Sequence, residues 1–231
     1  PRKDLSALSG GSFDATVLPL VDLLKKHANP QGGIDLPDYE LAESLELVDS
    51  TAVHLSDNEI RLGKQGMRVT FDGIGKGYIV DRASDVLAAH GVANHLVNAG
   101  GDIRARGERA PGHPWMVAIE DPARKGRYPA VIKLRDAAVA TSGGYEVFYD
   151  ARQAHHHVVD PQTAQSPTQS VSVSVTAPTV MEADALATAA FVMAPKAGVR
   201  LVDELPGREC LVVGKSGARV TSRHWSNAVK A

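Results

Sequence analysis

The sequence predicts an α+β fold: a single domain with mixed or antiparallel sheets packed by helices. Three observations lead there. Short runs of β-branched or alternating residues, separated by turn signals, fill the chain from Trp115 onward. Helical periodicity sits in the first 50 residues, in the centre and near the end. The 231 residues, 43% apolar and 23% charged, suffice for one sizeable core and show no repeat, low-complexity tract or convincing domain boundary.

The first elements are helical. LSGGSFDATVLPLVDLLKKH reads as a Gly-Gly turn and a helix from Asp14 to His27, with Leu20, Leu23 and Leu24 as its apolar stripe and Pro19 as a kink or break. Asn29 to Pro37 is a loop by composition. A second helix is expected over Asp38–Val48, then short strands over Ala52–Leu55, Glu59–Leu62 and Met67–Phe71.

Phe71 to Arg106 is the stretch the chain is organised around. It reads as a glycine turn (Gly73, Gly75, Gly77), a helix, a strand over LVNA and a second glycine corner at Gly100-Gly101. Ile79, Val80, Ala83, Val86 and Leu87 recur at helical steps, and Gly91 stands where a left-handed cap is expected. A glycine turn feeding a helix leaves backbone N–H groups unpaired, which suits a phosphate, and Lys76 adds a point charge. A surface turn that lets a helix pack closely on a sheet is the other reading.

Strands follow in WMVAIED, AVIKLRD, AVATSG, YEVFYD, HHHVVD and SVSVSVTA. The strict alternation of the last predicts one buried and one polar face. A helix over Val180–Met193 opens on a capping-box pattern, Thr179 with Glu182. A short helix over Lys196–Glu204 and a hairpin of CLVVG with ARVTS close the chain.

Charge and composition exclude several classes. A net charge of −2 with scattered Lys and Arg argues against a nucleic-acid partner. A lone cysteine, Cys210, permits no internal disulfide and no cysteine metal site. No apolar run reaches membrane-spanning length; no signal peptide is visible, but a chain starting at Pro1 reads as a processed, engineered or partial one, so missing targeting information carries little weight.

Four places can carry chemistry. Asp184 and Thr188 stack one turn apart on a helix otherwise apolar on every side. A carboxylate and a hydroxyl so placed can hold a hard divalent cation. Alternatively Asp184 pairs with a base and Thr188 bonds back to the preceding turn. A helix apolar all round is buried, so its carboxylate needs a partner. His155, His156 and His157 would alternate faces on a strand, giving a metal site, a general base or a solvated strand end, and the DPQT turn after them can fix Asp160. Thr141-Ser142-Gly143-Gly144 suits a phosphate or a nucleotide edge and equally a glycine hairpin. Ser12-Phe13-Asp14 alone reads as an N-cap.

Together the segments SGGSFDATVLPLVDL, FDGIGKGYIVD, NAGGDIRARG, AVATSGGYE, HHHVVDPQT and SVTAPTVMEADALATAAFVM resemble the FAD:protein FMN transferase (ApbE) family, in its order, over Ser9 to Trp225. The resemblance implies an ApbE-like fold and a magnesium-dependent enzyme. Such an enzyme moves FMN from FAD onto a Thr or Ser hydroxyl of a target flavoprotein subunit and releases AMP. It implies Asp184, Thr188 and the Gly75 carbonyl as Mg2+ ligands. Ser12, Phe13, Asp14, Asp72, Tyr78, Thr141, Ser142 and Val158 would line the FAD site, with Lys76 adding positive potential, and His157 would activate the attacking hydroxyl. Gly75 stands where the family usually has alanine, and Gly144 where an acidic residue is associated with the motif. An extracytoplasmic location, periplasmic or membrane-anchored, is carried over from the family alone. Any membrane association would run through an N-terminal anchor that this chain lacks. Family members carry a segment before SGGSFD that forms part of the flavin pocket; this chain is expected to be shortened there. That departure keeps two alternatives in play: a flavin-binding module without transferase activity, and an FAD pyrophosphatase giving FMN and AMP.

Overall fold

The computed structural model describes residues 2–121, 126–145 and 147–229, with side chains from residue 5. Contacts cluster into two compact units, each drawn from separate parts of the chain: residues 1–71 with 144–168, and residues 72–143 with 169–231.

The first unit holds α1 (Arg2–Leu8), α2 (Leu18–Lys26), α3 (Asp38–Glu46) and an antiparallel hairpin of β1 (Val53–Leu55) with β2 (Ile60–Leu62). Its core joins Leu20, Val21 and Leu24 of α2 to Tyr149, Val159 and Ala164 of the returning segment. The expected helix from Asp14 starts four residues later, and Pro19 neither kinks nor breaks it. Pro19 sits in the first turn, where the missing N–H has no helical acceptor to lose. Asp14 is no helix cap. Its carboxylate accepts from Thr16 N (2.8 Å), Thr16 Oγ1 (2.6 Å) and Ser50 N (3.1 Å), tying the Gly-Gly turn to the end of the α3 segment. Met67–Phe71 is not a strand; Thr70 N donates to Ala15 O instead.

The second unit is built on a six-stranded, wholly antiparallel sheet. It contains β3 (His95–Ala99), β4 (Asp102–Arg106), β7 (Ala137–Gly143), β8 (Ser170–Ala177), β9 (Glu209–Gly214) and β10 (Arg219–Thr221), in the order β10-β9-β8-β7-β4-β3. One face carries α4 (Gly75–Ala89) and α5 (Val180–Val192), with α6 (Pro195–Asp203) packed on α5. The other is covered by the hairpin of β5 (Trp115–Ile119) with β6 (Ala130–Leu134) and by Trp225 of α7 (Trp225–Ala228). Period-two alternation sorts the side chains: Ala138 and Ala140 face Val80, Val180 and Ala183, whereas Val139 joins Ile103, Leu211 and Ile132.

Three expectations are corrected here. β8 is buried on both faces rather than one, because it is a central strand with cover on either side. Ser172 and Ser174 are 1% exposed, and Ser174 Oγ shares a hydrogen bond of 2.7 Å with Thr141 Oγ1. Gly75 and Gly77 form no turn; they are the first turn of α4 itself. The anticipated apolar stripe of α4 is mostly outward: Ile79 is 67% and Val86 54% exposed, with Ala83 and Leu87 also exposed. The buried stripe is Gly77, Val80 and Ser84, chosen for smallness rather than hydropathy.

Other elements agree. Gly91, at φ +83°, ends α4, with Val92 N donating to Leu87 O. Gly100 and Gly101 make the two-residue turn joining β3 to β4. Thr179 caps α5 by accepting from Glu182 N at 3.3 Å, although the Glu182 carboxylate turns to Arg208 instead of closing the box. Among the described residues no helix is long and apolar enough to cross a membrane.

The close approach at Gly77 yields a stability prediction. A Cβ there would stand 2.6 Å from Val180 O and 2.7 Å from Met181 Cα, both fixed backbone atoms. Gly77→Ala should therefore destabilise the protein by about 1–3 kcal/mol, although alanine at an open helical position gains close to 1 kcal/mol. Urea unfolding of the variant measures the sign.

Candidate metal and nucleotide site

In the second unit, α4 and α5 meet at their N-terminal ends, and the site-bearing residues gather there. Gly77 N donates to Asp184 Oδ2 at 3.1 Å. Asp81, one turn further along α4, accepts from Val180 N (3.0 Å) and Met181 N (2.9 Å), so a side chain of one helix caps the other. The two helices are thus fixed in register by backbone donors on both sides.

Asp184 is buried, as its apolar helix implied. Its carboxyl is pushed up to about 6, by burial first and then by the Asp102 carboxylate; the Gly77 N–H and the Lys76 ammonium act in the opposite direction. The partner found for it is a backbone N–H with a lysine nearby, not a directly paired base. Thr188, half-buried one turn on, bonds Ser142 Oγ at 3.2 Å instead of being wholly spent on its own helix. Asp184, Thr188, Ser142 and the first turn of α4 are therefore brought together. Gly75 opens that turn, Lys76 Nζ lies 3.1 Å from Asp102 Oδ2, and Asp72 and Tyr78 are exposed beside it. Thr141 points its hydroxyl to Ser174.

These donors suit a hard cation. A buried carboxylate, a hydroxyl and a main-chain carbonyl are oxygen ligands of the kind magnesium takes, with phosphate or water oxygens completing the shell. Among the described residues no group of three or more His, Cys, Asp or Glu could hold a metal, so a nitrogen- or sulfur-rich centre is not what the site offers.

The first unit holds the remaining site residues. Predicted strands over YEVFYD and HHHVVD reduce to a short antiparallel bridge, Phe148 opposite His156, with Tyr149 N donating to His155 O and His157 N to Val147 O; residue 146 lies outside the described residues. The three histidines differ in kind. His156 is buried and internal: Nδ1 accepts from Val158 N at 3.2 Å, Nε2 donates to Pro167 O at 3.0 Å, and its main chain brackets Ser166 Oγ. His155 Nδ1 stands 3.8 Å from Asp150 Oδ2. His157 is half-buried, and its Nδ1 has no hydrogen-bond partner among the described residues. Asp160 is held in its turn by Gln162 N and Thr163 Oγ1, as DPQT suggested. Phe13 is buried, Ser12 and Val158 half-buried. Gly144 now has a reason: a Cβ there would lie 2.6 Å from His156 Nε2.

Sequence reasoning passed over Asp81 and Asp102. Asp81 follows Gly77 by four and shares its helical face, a spacing that was visible. Asp102, after the Gly-Gly corner, looked like an ordinary turn residue, yet it is 1% exposed.

Comparison with known proteins fits this geometry. The ApbE family model matches residues 2–212. The FAD:protein FMN transferase of Treponema pallidum is 34% identical over 223 residues, covering 89% of this chain and 61% of its own length. That of Escherichia coli K12 is 31% identical over 206 residues, covering 86% and 58%. The chain thus spans about three fifths of the length of these curated relatives. The solved ApbE protein of Thermotoga maritima superposes with a TM-score of 0.87 at 32% identity, over 100% of this chain and 76% of that one. The flavin transferase ApbE of Vibrio cholerae gives 0.84 at 28%, over 99% and 74%.

The raised Asp184 carboxyl makes a pH prediction. In the unfolded chain this group titrates near 3.8, in the folded one near 6. The folded state therefore holds the proton more tightly, and ionisation costs stability increasingly as pH rises from 4 to 6, remaining in full above. With EDTA present, Asp184→Asn should match the wild type near pH 4 and exceed it by up to about 3 kcal/mol above pH 7. Thermal unfolding across that range, repeated with Mg2+, should show the metal raising the wild-type Tm and leaving the variant unmoved.

Proposed function

The chain belongs to the ApbE family, and we propose that it is a magnesium-dependent transferase that moves FMN from FAD onto a Thr or Ser hydroxyl of a target flavoprotein, releasing AMP. The observation that carries this reading is the buried Asp184 on an apolar helix, bound by the Gly77 N–H. Thr188, one turn away, is tied to Ser142. Family membership and likeness to solved flavin transferases support the reaction type.

In this reading Asp184, Thr188 and the Gly75 carbonyl hold Mg2+. When bound, the ion supplies charge neutralisation on the pyrophosphate oxygens and on the departing AMP. The chain's own residues do the rest. The N-terminus of α4 adds positive potential toward an anionic phosphate. Ser142 orients Thr188, while Gly77 holds Asp184 in one rotamer. Ser12, Phe13 and Asp14, with Asp72, Lys76, Tyr78, Thr141 and Val158, are assigned to FAD. His157, half-buried, takes the proton of the incoming hydroxyl. That oxygen then bonds to the FMN phosphorus, and the bond from this phosphorus to the bridging oxygen breaks, so AMP leaves. His156, by contrast, is committed to loop structure and takes no part. An extracytoplasmic location belongs to the same reading, and cell fractionation of the native protein checks it.

Incubating the chain with FAD, Mg2+ and a threonine-bearing acceptor should give a covalently fluorescent product heavier by one FMN unit less water. Asp184→Ala should abolish this metal-dependent turnover. His157→Ala should keep FAD binding and lose transfer by about 100-fold or more. AMP released without acceptor would assign hydrolysis instead. Full activity in the Asp184 variant would sink the metal assignment.

A further inference from the structure

Resting on the reading of Gly75, Asp184 and Thr188 as a cation site, a second buried carboxylate bears on the same place. Asp102 opens β4 directly after the Gly100-Gly101 turn, a position that normally faces water, yet it is 1% exposed. Its Oδ2 lies 3.1 Å from Lys76 Nζ, and Lys76, half-exposed, adjoins Gly75 in the first turn of α4. Asp184 reaches the same turn of α4, its Oδ2 accepting from Gly77 N at 3.1 Å, one residue past Lys76. Three charges on three elements (β4, α4 and α5) therefore act on one small volume.

We propose that Asp102 and Lys76 form an opposed pair that sets the divalent-cation affinity of the site, Asp102 raising it and Lys76 lowering it. With both carboxylates ionised, Asp184 and Asp102 stand against the one Lys76 ammonium, a balance of one net negative charge. A divalent ion turns this into one net positive charge, suited to an anionic pyrophosphate. Without Lys76 the loaded site would be neutral; without Asp102 the empty charge balance would be neutral and the cation poorly attracted. Asp102 is a positioning residue: it fixes the Lys76 ammonium and contributes field, without being a metal ligand itself.

The test is Mn2+ binding followed by the loss of the free-ion EPR signal at pH 8, without FAD. Wild type should bind, and Asp184→Ala should not. Asp102→Asn should bind about tenfold more weakly. Lys76→Met should bind at least about threefold more tightly, and Lys76→Arg should stay within about twofold of wild type, because it keeps the charge. A merely structural pair would loosen binding in both variants, so the opposite signs separate the two roles. Lys76 is half-exposed, and its substitution reports even where Asp102→Asn fails to fold. Weaker binding in Lys76→Met, or unchanged binding in a folded Asp102→Asn, overturns the proposal while leaving the cation site standing. No binding in wild type overturns the cation reading and the proposal with it.

Discussion

The second unit depends on how closely α4 passes α5 at Gly77. The N–H of that glycine reaches the Asp184 carboxylate at 3.1 Å only because no side chain intervenes, and a Cβ would strike the main chain of Val180 and Met181. Asp81 holds the same crossing from the other side by capping α5. A carboxylate buried on an all-apolar helix is costly. Here its cost is partly offset by a backbone N–H and a nearby ammonium, which act against the rise that burial imposes. Packing and chemistry are thus one feature: the contact that docks the helices is the contact that orients the buried Asp184 carboxylate.

The sheet beneath transmits this constraint. β7 presents small residues, Ala138 and Ala140, toward the helices, allowing α4 and α5 to lie close to it, while Val139 fills the opposite core. From the same strand Ser142 reaches Thr188, and Thr141 reaches Ser174 on β8. Hydroxyls on both faces of a central strand, Ser142 toward the helices and Thr141 with Ser174 on the other side, would be expensive if left unpaired. Here each is paired: the Ser142 bond fixes Thr188, and the Thr141–Ser174 bond satisfies the opposite face.

In the first unit the organising group is His156. Its ring spans from Val158 N to Pro167 O, and its backbone exchanges hydrogen bonds with Ser166, so residues 156–167 close into a braced loop. That brace explains why position 144 is glycine, where the family resemblance led to an acidic residue: the space a side chain would need is taken by the imidazole. It also divides labour within the histidine run. The middle ring is structural, whereas the buried Nδ1 of His157 has no hydrogen-bond partner among the described residues.

Much of this protein was legible in the sequence. The central helices followed from 3.6-residue periodicity, though α1 and α7 had not been anticipated; the hairpins followed from alternation and glycine corners, and the Asp184–Thr188 pair from four-residue spacing on an apolar helix. Each of these is a local rule that the backbone obeys wherever its neighbours permit. What the sequence misassigned were quantities set by neighbours distant in the chain. The apolar residues of α4 pointed outward, and its inner stripe is Gly77 against α5, Val80 against β7 and α5, and Ser84 bonded to His95 of β3. The alternating β8 was buried twice over because both faces of the sheet are covered. Asp102 carried no local signal of importance, since its role comes from charges on other elements, and Asp81's cap on α5 showed only as a four-residue spacing from Gly77. Periodicity and turn chemistry determine which elements form. Only the tertiary structure decides which face of each is buried and which charges meet, because close packing and electrostatics act through space rather than along the chain.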